Sequence, residues 1–111
     1  MRKVAIVTGA NRGIGFEIVR ELAKLEKFDF VYLTGRNEEA GRTAVAKIGN
    51  PRVKFFRLDL TEMQTIVDFR NYLAENSEEI SVLILNAAMG GNRGINAKEV
   101  IFIAFKIKKY I

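Results

Sequence analysis

Apolar residues along this chain follow two alternating rhythms. Lys3–Val7, Phe30–Leu33, Val53–Leu58 and Ile80–Leu85 are short, nearly continuous apolar runs, which suits strands buried on both faces. Between them the apolar positions recur every three or four residues. From Gly13 to Lys27, Ile14, Ile18, Leu22 and Leu25 form one face, joined by Val19 and Ala23, with Glu17, Arg20, Glu21 and Lys24 opposite. That period predicts a helix packed on a sheet. Asn37 has N-cap chemistry ahead of Glu38 and Glu39, so a second helix is expected to start there and end near Gly49-Asn50-Pro51. Thr61 and Gln64 have capping-box spacing and are expected to open a third helix, with Met63, Ile66, Val67 and Leu73 on its inner face.

The order β-α-β-α-β-α-β with short loops predicts an α/β domain: a parallel sheet with helices on both faces and right-handed crossovers. Residues 1–88 make up this unit, and residues 89–111 read as a divergent tail. In the tail, Gly90-Gly91-Asn92-Arg93-Gly94 leads to an apolar run, Val100–Phe105, ahead of Lys106, Lys108 and Lys109. The β-branched and aromatic content of that run leaves helix and strand both open.

Composition narrows the chemistry. At 111 residues, 49% hydrophobic and 28% charged, the chain suits one small folded domain. The net charge of +5, from 18 basic and 13 acidic residues, is dispersed rather than striped, which suits a polyanionic small molecule better than nucleic acid. With no Cys and no His, disulfides, thiolate nucleophiles, Cys/His zinc sites and imidazole bases are excluded. The missing cysteines fit a reducing compartment, and a cytoplasmic location is expected. No apolar stretch reaches the roughly 18 residues of a membrane span, so no membrane partner is expected.

The candidate chemistry lies where the first strand meets the first helix. Gly9, Gly13 and Gly15 sit in the sequence Thr8-Gly9-Ala10-Asn11-Arg12-Gly13-Ile14-Gly15. The first glycine permits a tight turn out of the strand. The others let backbone approach a pyrophosphate and let the helix pack closely on the sheet. Bare amides backed by a helix N-terminus are a ready phosphate cradle. Within a βαβ unit this predicts a Rossmann-type doubly wound sheet, truncated to about four strands and three helices, holding a dinucleotide.

The second strand ends at Gly35, followed by Arg36. An NAD-preferring domain places a carboxylate there, about 20 residues beyond the glycines, to bond the ribose 2′-OH. Alone, Arg36 reads equally as a solvated side chain at a helix start. With the acid absent and Arg12 in the glycine loop, two planar guanidinium groups are available to a 2′-phosphate, and NADPH is the expected cofactor.

These segments resemble the short-chain dehydrogenase/reductase family, and most of all its NADPH-dependent carbonyl reductases. Besides the glycine turn, the resemblance rests on Leu33-Thr34-Gly35-Arg36, Glu38-Glu39-Ala40-Gly41, Leu58-Asp59-Leu60 and Leu85-Asn86-Ala87-Ala88, covering about residues 3–88. It implies that Asp59 and Leu60 lie beside the adenine, that Asn86 lies near the adenine ribose at the carboxyl end of the fourth strand, and that Ala87 belongs to the cofactor-binding set. The usual Asn-Asn-Ala-Gly is altered here, keeping only its second asparagine and the alanine.

The resemblance also implies catalysis by a tyrosine four residues before a lysine, assisted by a serine. None of the three tyrosines qualifies: Tyr32 is followed at that spacing by Arg36, Tyr72 by Asn76, and Tyr110 is next to last. No catalytic residue is assigned. The chain is expected to be the NADPH-binding N-terminal half of a reductase of aldehydes, ketones or quinones, itself inactive. The alternatives are a non-catalytic dinucleotide-binding module and a truncated product without function. The fourth strand is expected to be an open edge, able to self-associate unless Val100–Phe105 covers it.

Overall fold

A computed structural model of the chain describes residues 1–86; Ala87 and the tail segments named above lie outside them. The elements follow in the order β1 (Arg2–Val7), α1 (Gly13–Lys24), β2 (Phe30–Gly35), α2 (Glu38–Ile48), β3 (Val53–Arg57), α3 (Met63–Glu75) and β4 (Glu78–Ile84). All strand pairings are parallel, in the order β3-β2-β1-β4.

Two apolar layers sandwich the sheet, one per face. On one, Val4, Ile6 and Tyr32 pack against Ile66, Phe69 and Leu73 of α3. On the other, Ala5, Val7, Val31 and Leu33 meet Val19 and Ala23 of α1 and Ala44 of α2. The continuous apolar runs arise because each strand must supply both layers. In β4 the register against β1 shifts between Val4 and Ala5, leaving Ser81 unpaired. This bulge resets the alternation. Ile80 serves the α3 layer, while Val82 and Ile84 serve the other.

Asn37 caps α2 as expected, its Oδ1 accepting the Ala40 amide at 2.8 Å, and Gly49 ends the helix at φ 65°. Three expectations are corrected. First, α1 stops at Lys24 rather than Lys27, because Glu26 turns the backbone to φ 55°. Its sheet-facing row is Gly15, Val19 and Ala23, whereas Ile14 and Leu25 are 73% and 53% exposed. The i, i+4 row closest to the strands takes the burial, and the larger residues beside it are left on the flank.

Second, the capping box of α3 does not form. Glu62 occupies the N-cap, and the Thr61 hydroxyl donates instead to Asp59 Oδ1 at 2.6 Å. Gln64 reaches forward to Asp68. An Asp two residues before a Thr captures it in a local turn, which competes with helix capping. Third, Met63 is exposed, and Phe69 takes the inner position with Ile66 and Leu73.

Candidate functional site

The strand order reverses between β1 and β4, and a crevice of this kind opens at the carboxyl ends of the strands. Four loops meet there: those after β1, β2, β3 and β4. In the first, Gly9 and Gly13 take left-handed φ values of 60° and 65°. Gly13 has nothing within 4 Å of the position of a Cβ, so backbone conformation and not crowding requires glycine there. Gly15 is the opposite case. A Cβ there would lie 2.6 Å from Asn86 Nδ2, 2.8 Å from the Gly9 carbonyl oxygen and 2.9 Å from Ala10 Cα. The helix therefore starts pressed against the turn, at a distance only glycine allows.

Hydrogen bonds anchor that turn to its neighbours. The Thr8 amide donates to the Ile84 carbonyl at 3.0 Å, and the Ala10 amide to Thr34 at 2.9 Å. The Thr34 hydroxyl donates to Val7 at 2.9 Å. Asn86 adds two more contacts, its amide to Thr8 Oγ1 at 2.9 Å and its Nδ2 to the Gly9 carbonyl at 3.1 Å. Thus Gly9, Gly15 and Asn86 converge on one point, supported by two buried threonines.

The N-terminus of α1 is electrostatically bare. Arg12 at the N-cap makes no side-chain cap, and the first turn contains no acid. In α2, by contrast, Asn37 occupies the cap and Glu38 and Glu39 offset the helix dipole. The first amides of α1 thus remain available to an anion. Asn11 is half-buried, and Arg12, Gly13 and Ile14 are exposed, so Ile14 offers its backbone rather than a packed side chain.

At the end of β2, Gly35 has open space where a Cβ would stand, and Arg36 is exposed beside it. Neither of these residues at the end of β2 carries a carboxylate. The residues therefore fit a phosphorylated ligand: uncapped amides, open glycine positions and exposed guanidinium groups lie on adjoining loops.

The loop after β3 carries Asp59 and Leu60. Asp59 accepts both the amide and the hydroxyl of Thr61, at 3.0 and 2.6 Å. Burial pushes its carboxyl up, but the Thr61 hydrogen bonds, with Glu62 and the Arg57 charge, outweigh this and hold it below its ordinary value. The side chain of Leu60 belongs to the core on the α3 face. Arg57, which no motif in the sequence singles out, is the last residue of β3 and is paired in register with Gly35. The signal for it was a basic residue two positions before Asp59.

A separate groove of about 850 Å³ runs along the outer flank of α1, from Asn11 and Arg12 past Ile14 and Leu22 to Lys47. It shares Asn11, Arg12, Gly13 and Ile14 with the glycine loop, but the rest of its lining is the flank of α1 and Lys47, with no residue from the ends of β2, β3 or β4. Among the described residues no group of acidic side chains could hold a metal ion, and no helix is long and apolar enough to cross a membrane.

Comparison with known proteins agrees with this geometry. The family model described as short chain dehydrogenase matches residues 3–103. The chain is similar to carbonyl reductase (NADPH) 1 of Oryctolagus cuniculus, 40% identical over 92 residues, covering 79% of this chain and 32% of that protein. It thus spans about a third of the length of such relatives. Among solved structures it is similar to a metagenomic short-chain oxidoreductase in complex with NADP, with TM-score 0.73, 28% identity, and coverage of 95% of this chain and 54% of that one. The hydroxysteroid dehydrogenase of Escherichia coli gives TM-score 0.75, 26% identity, and coverage of 98% and 47%.

Proposed function

The chain belongs to the short chain dehydrogenase family, and on that premise we propose that it is the NADPH-holding portion of a carbonyl reductase that reduces aldehydes, ketones or quinones. The observation that carries this reading is the end of β2, where Gly35 and the exposed Arg36 stand in place of a carboxylate. The 40% identity to the NADPH carbonyl reductase of Oryctolagus cuniculus supports it.

In this reading the amides of Gly13, Ile14 and Gly15 bind the pyrophosphate, and Gly9 shapes the turn that presents them. Arg12 and Arg36 pair with the 2′-phosphate, while Asn11 lines the loop between them. Asp59 and the backbone of Leu60 border the adenine, and Asn86 borders the ribose. Bound NADPH supplies the hydride that reduces a carbonyl carbon. This chain's own part is to bind and orient the cofactor. Its sequence contains no tyrosine followed four residues later by lysine, so the 111 residues alone deliver no proton to the carbonyl oxygen and give no turnover.

Titration of the purified chain with NADPH, followed by cofactor fluorescence, tests the reading. Saturable binding without reduction of a generic quinone or aldehyde is the expected result. A flat titration at low ionic strength overturns the cofactor assignment, and turnover above that of free NADPH overturns the division of labour.

A further inference from the structure

The guanidinium of Arg57 bridges two loops of the site. Its Nε donates to the backbone carbonyl of Arg36 at 3.0 Å, and its Nη2 donates to Glu62 Oε2 at 2.9 Å. Beside these, the Leu58 amide donates to the Gly35 carbonyl at 2.9 Å. The carbonyls of Gly35 and Arg36 are therefore both held from the β3 side. One residue further on, the Asn37 side chain is fixed as the cap of α2. Arg36 is thus fixed at its backbone on both sides while its side chain remains exposed.

Charge points the same way. The hydrogen bond and charge of Glu62, with Asp59 and Glu38, hold the Arg57 guanidinium above its ordinary value. Glu62 is paired with the guanidinium that also contacts the Arg36 backbone, so its charge lies close to a 2′-phosphate held by Arg36 and would repel it. Arg57 offsets that charge through its 2.9 Å pair with Glu62.

We propose that Arg57 is a second determinant of NADPH preference: a positioning residue that holds the Arg36 backbone and screens Glu62 from the 2′-phosphate. This rests on the reading of the site given above. A fork of donors is needed for both contacts at once, which lysine lacks. NADH and NADPH differ only by the 2′-phosphate, so the ratio of their dissociation constants isolates the effect. A purely structural role would move both ligands together.

The test uses the whole chain, titrated with NADPH and with NADH as wild type, Arg57→Gln, Arg57→Lys and Arg36→Ala. For Arg57→Gln, NADPH affinity is expected to fall about tenfold, the scale of one charge-assisted hydrogen bond, with NADH little changed. Arg57→Lys keeps the charge and the fold; it is expected to lose part of the preference. If neither Arg57 variant changes the ratio while Arg36→Ala collapses it, Arg57 has no such role and the NADPH site stands. A wild type that binds neither nucleotide, or an Arg36→Ala variant with an unchanged ratio, overturns the underlying reading and this inference with it.

Discussion

The side-chain amide of Asn86 donates to the backbone carbonyl of Gly9 at 3.1 Å, across 77 residues of sequence. The bond ties the end of β4 to the turn after β1, at the point where the crevice opens. Asn86 is therefore a structural clamp on the glycine loop, whatever contact it also makes with a ribose. Asn86→Ala is expected to cost about 1 kcal/mol, the net worth of one such bond. Asn86→Asp should be worse, since a carboxylate cannot donate to the carbonyl and adds charge beside the phosphate cradle. Thermal denaturation and NADPH titration of both variants check the order.

Gly15 and Gly13 should respond differently to alanine. At Gly15 the added methyl meets backbone of Gly9 and Ala10, which cannot swing aside. Overpacking of this kind costs on the order of 1–3 kcal/mol, and the helix N-terminus should be pushed off its cradle, abolishing cofactor binding. At Gly13 nothing obstructs the methyl, and the penalty is the left-handed backbone alone, roughly 1–2 kcal/mol. Gly13→Ala should therefore retain measurable affinity where Gly15→Ala does not.

The pair Gly35 and Arg36 should set cofactor preference. Gly35 ends β2 with open space at its Cβ position, so Gly35→Asp can be accommodated without displacing a neighbour. Its carboxylate would bond a ribose 2′-OH and repel a 2′-phosphate. Combined with Arg36→Ala, it should reverse the preference from NADPH to NADH. A double variant that still binds NADPH more tightly sinks the assignment of these positions.

The element order, the parallel sheet and the glycine turn were legible because local periodicity and backbone chemistry specify them. Val4 to Val7 reads as a buried strand from its apolar run, and Asn37 as a cap from its own side chain. The helix starts around Thr61 were not legible in the same way. Thr61 and Gln64 have the right spacing for a box, but Asp59 competes for the Thr61 hydroxyl, and the winner is set by turn geometry. The exposure of Ile14 could not be read from period alone, because periodicity identifies an apolar side of α1 but not which row touches the sheet. The bulge at Ser81 has no local signature. It follows from the need of Ile80 and Val82 to serve opposite layers. Arg57 matters through its partner strand, a contact visible only once β2 and β3 are paired in register.

Far from the crevice, the buried phenol of Tyr32 donates to Glu78 Oε1 at 2.5 Å and lies 3.2 Å from the Tyr72 hydroxyl. Both Tyr32 and Glu78 are 1% exposed. Tyr32→Phe leaves a buried carboxylate without that donor and is expected to cost on the order of 1–3 kcal/mol. Replacing both residues, as Tyr32→Phe with Glu78→Met, should recover part of the loss, because an apolar pair of similar size leaves no group unpaired. The pair also predicts an alkaline limit. Burial first, and then the hydrogen bond to Glu78, push the Tyr32 phenol far above its ordinary value. The unfolded chain therefore releases this proton at a lower pH than the folded one. The contribution is complete below the unfolded tyrosine pKa of roughly 10 and is lost as pH rises beyond it. Chemical denaturation of wild type and Tyr32→Phe from pH 7 to 11 should show the stability gap between them narrowing above about pH 10. A gap that stays constant across that range would mean the phenol is not held protonated by the fold.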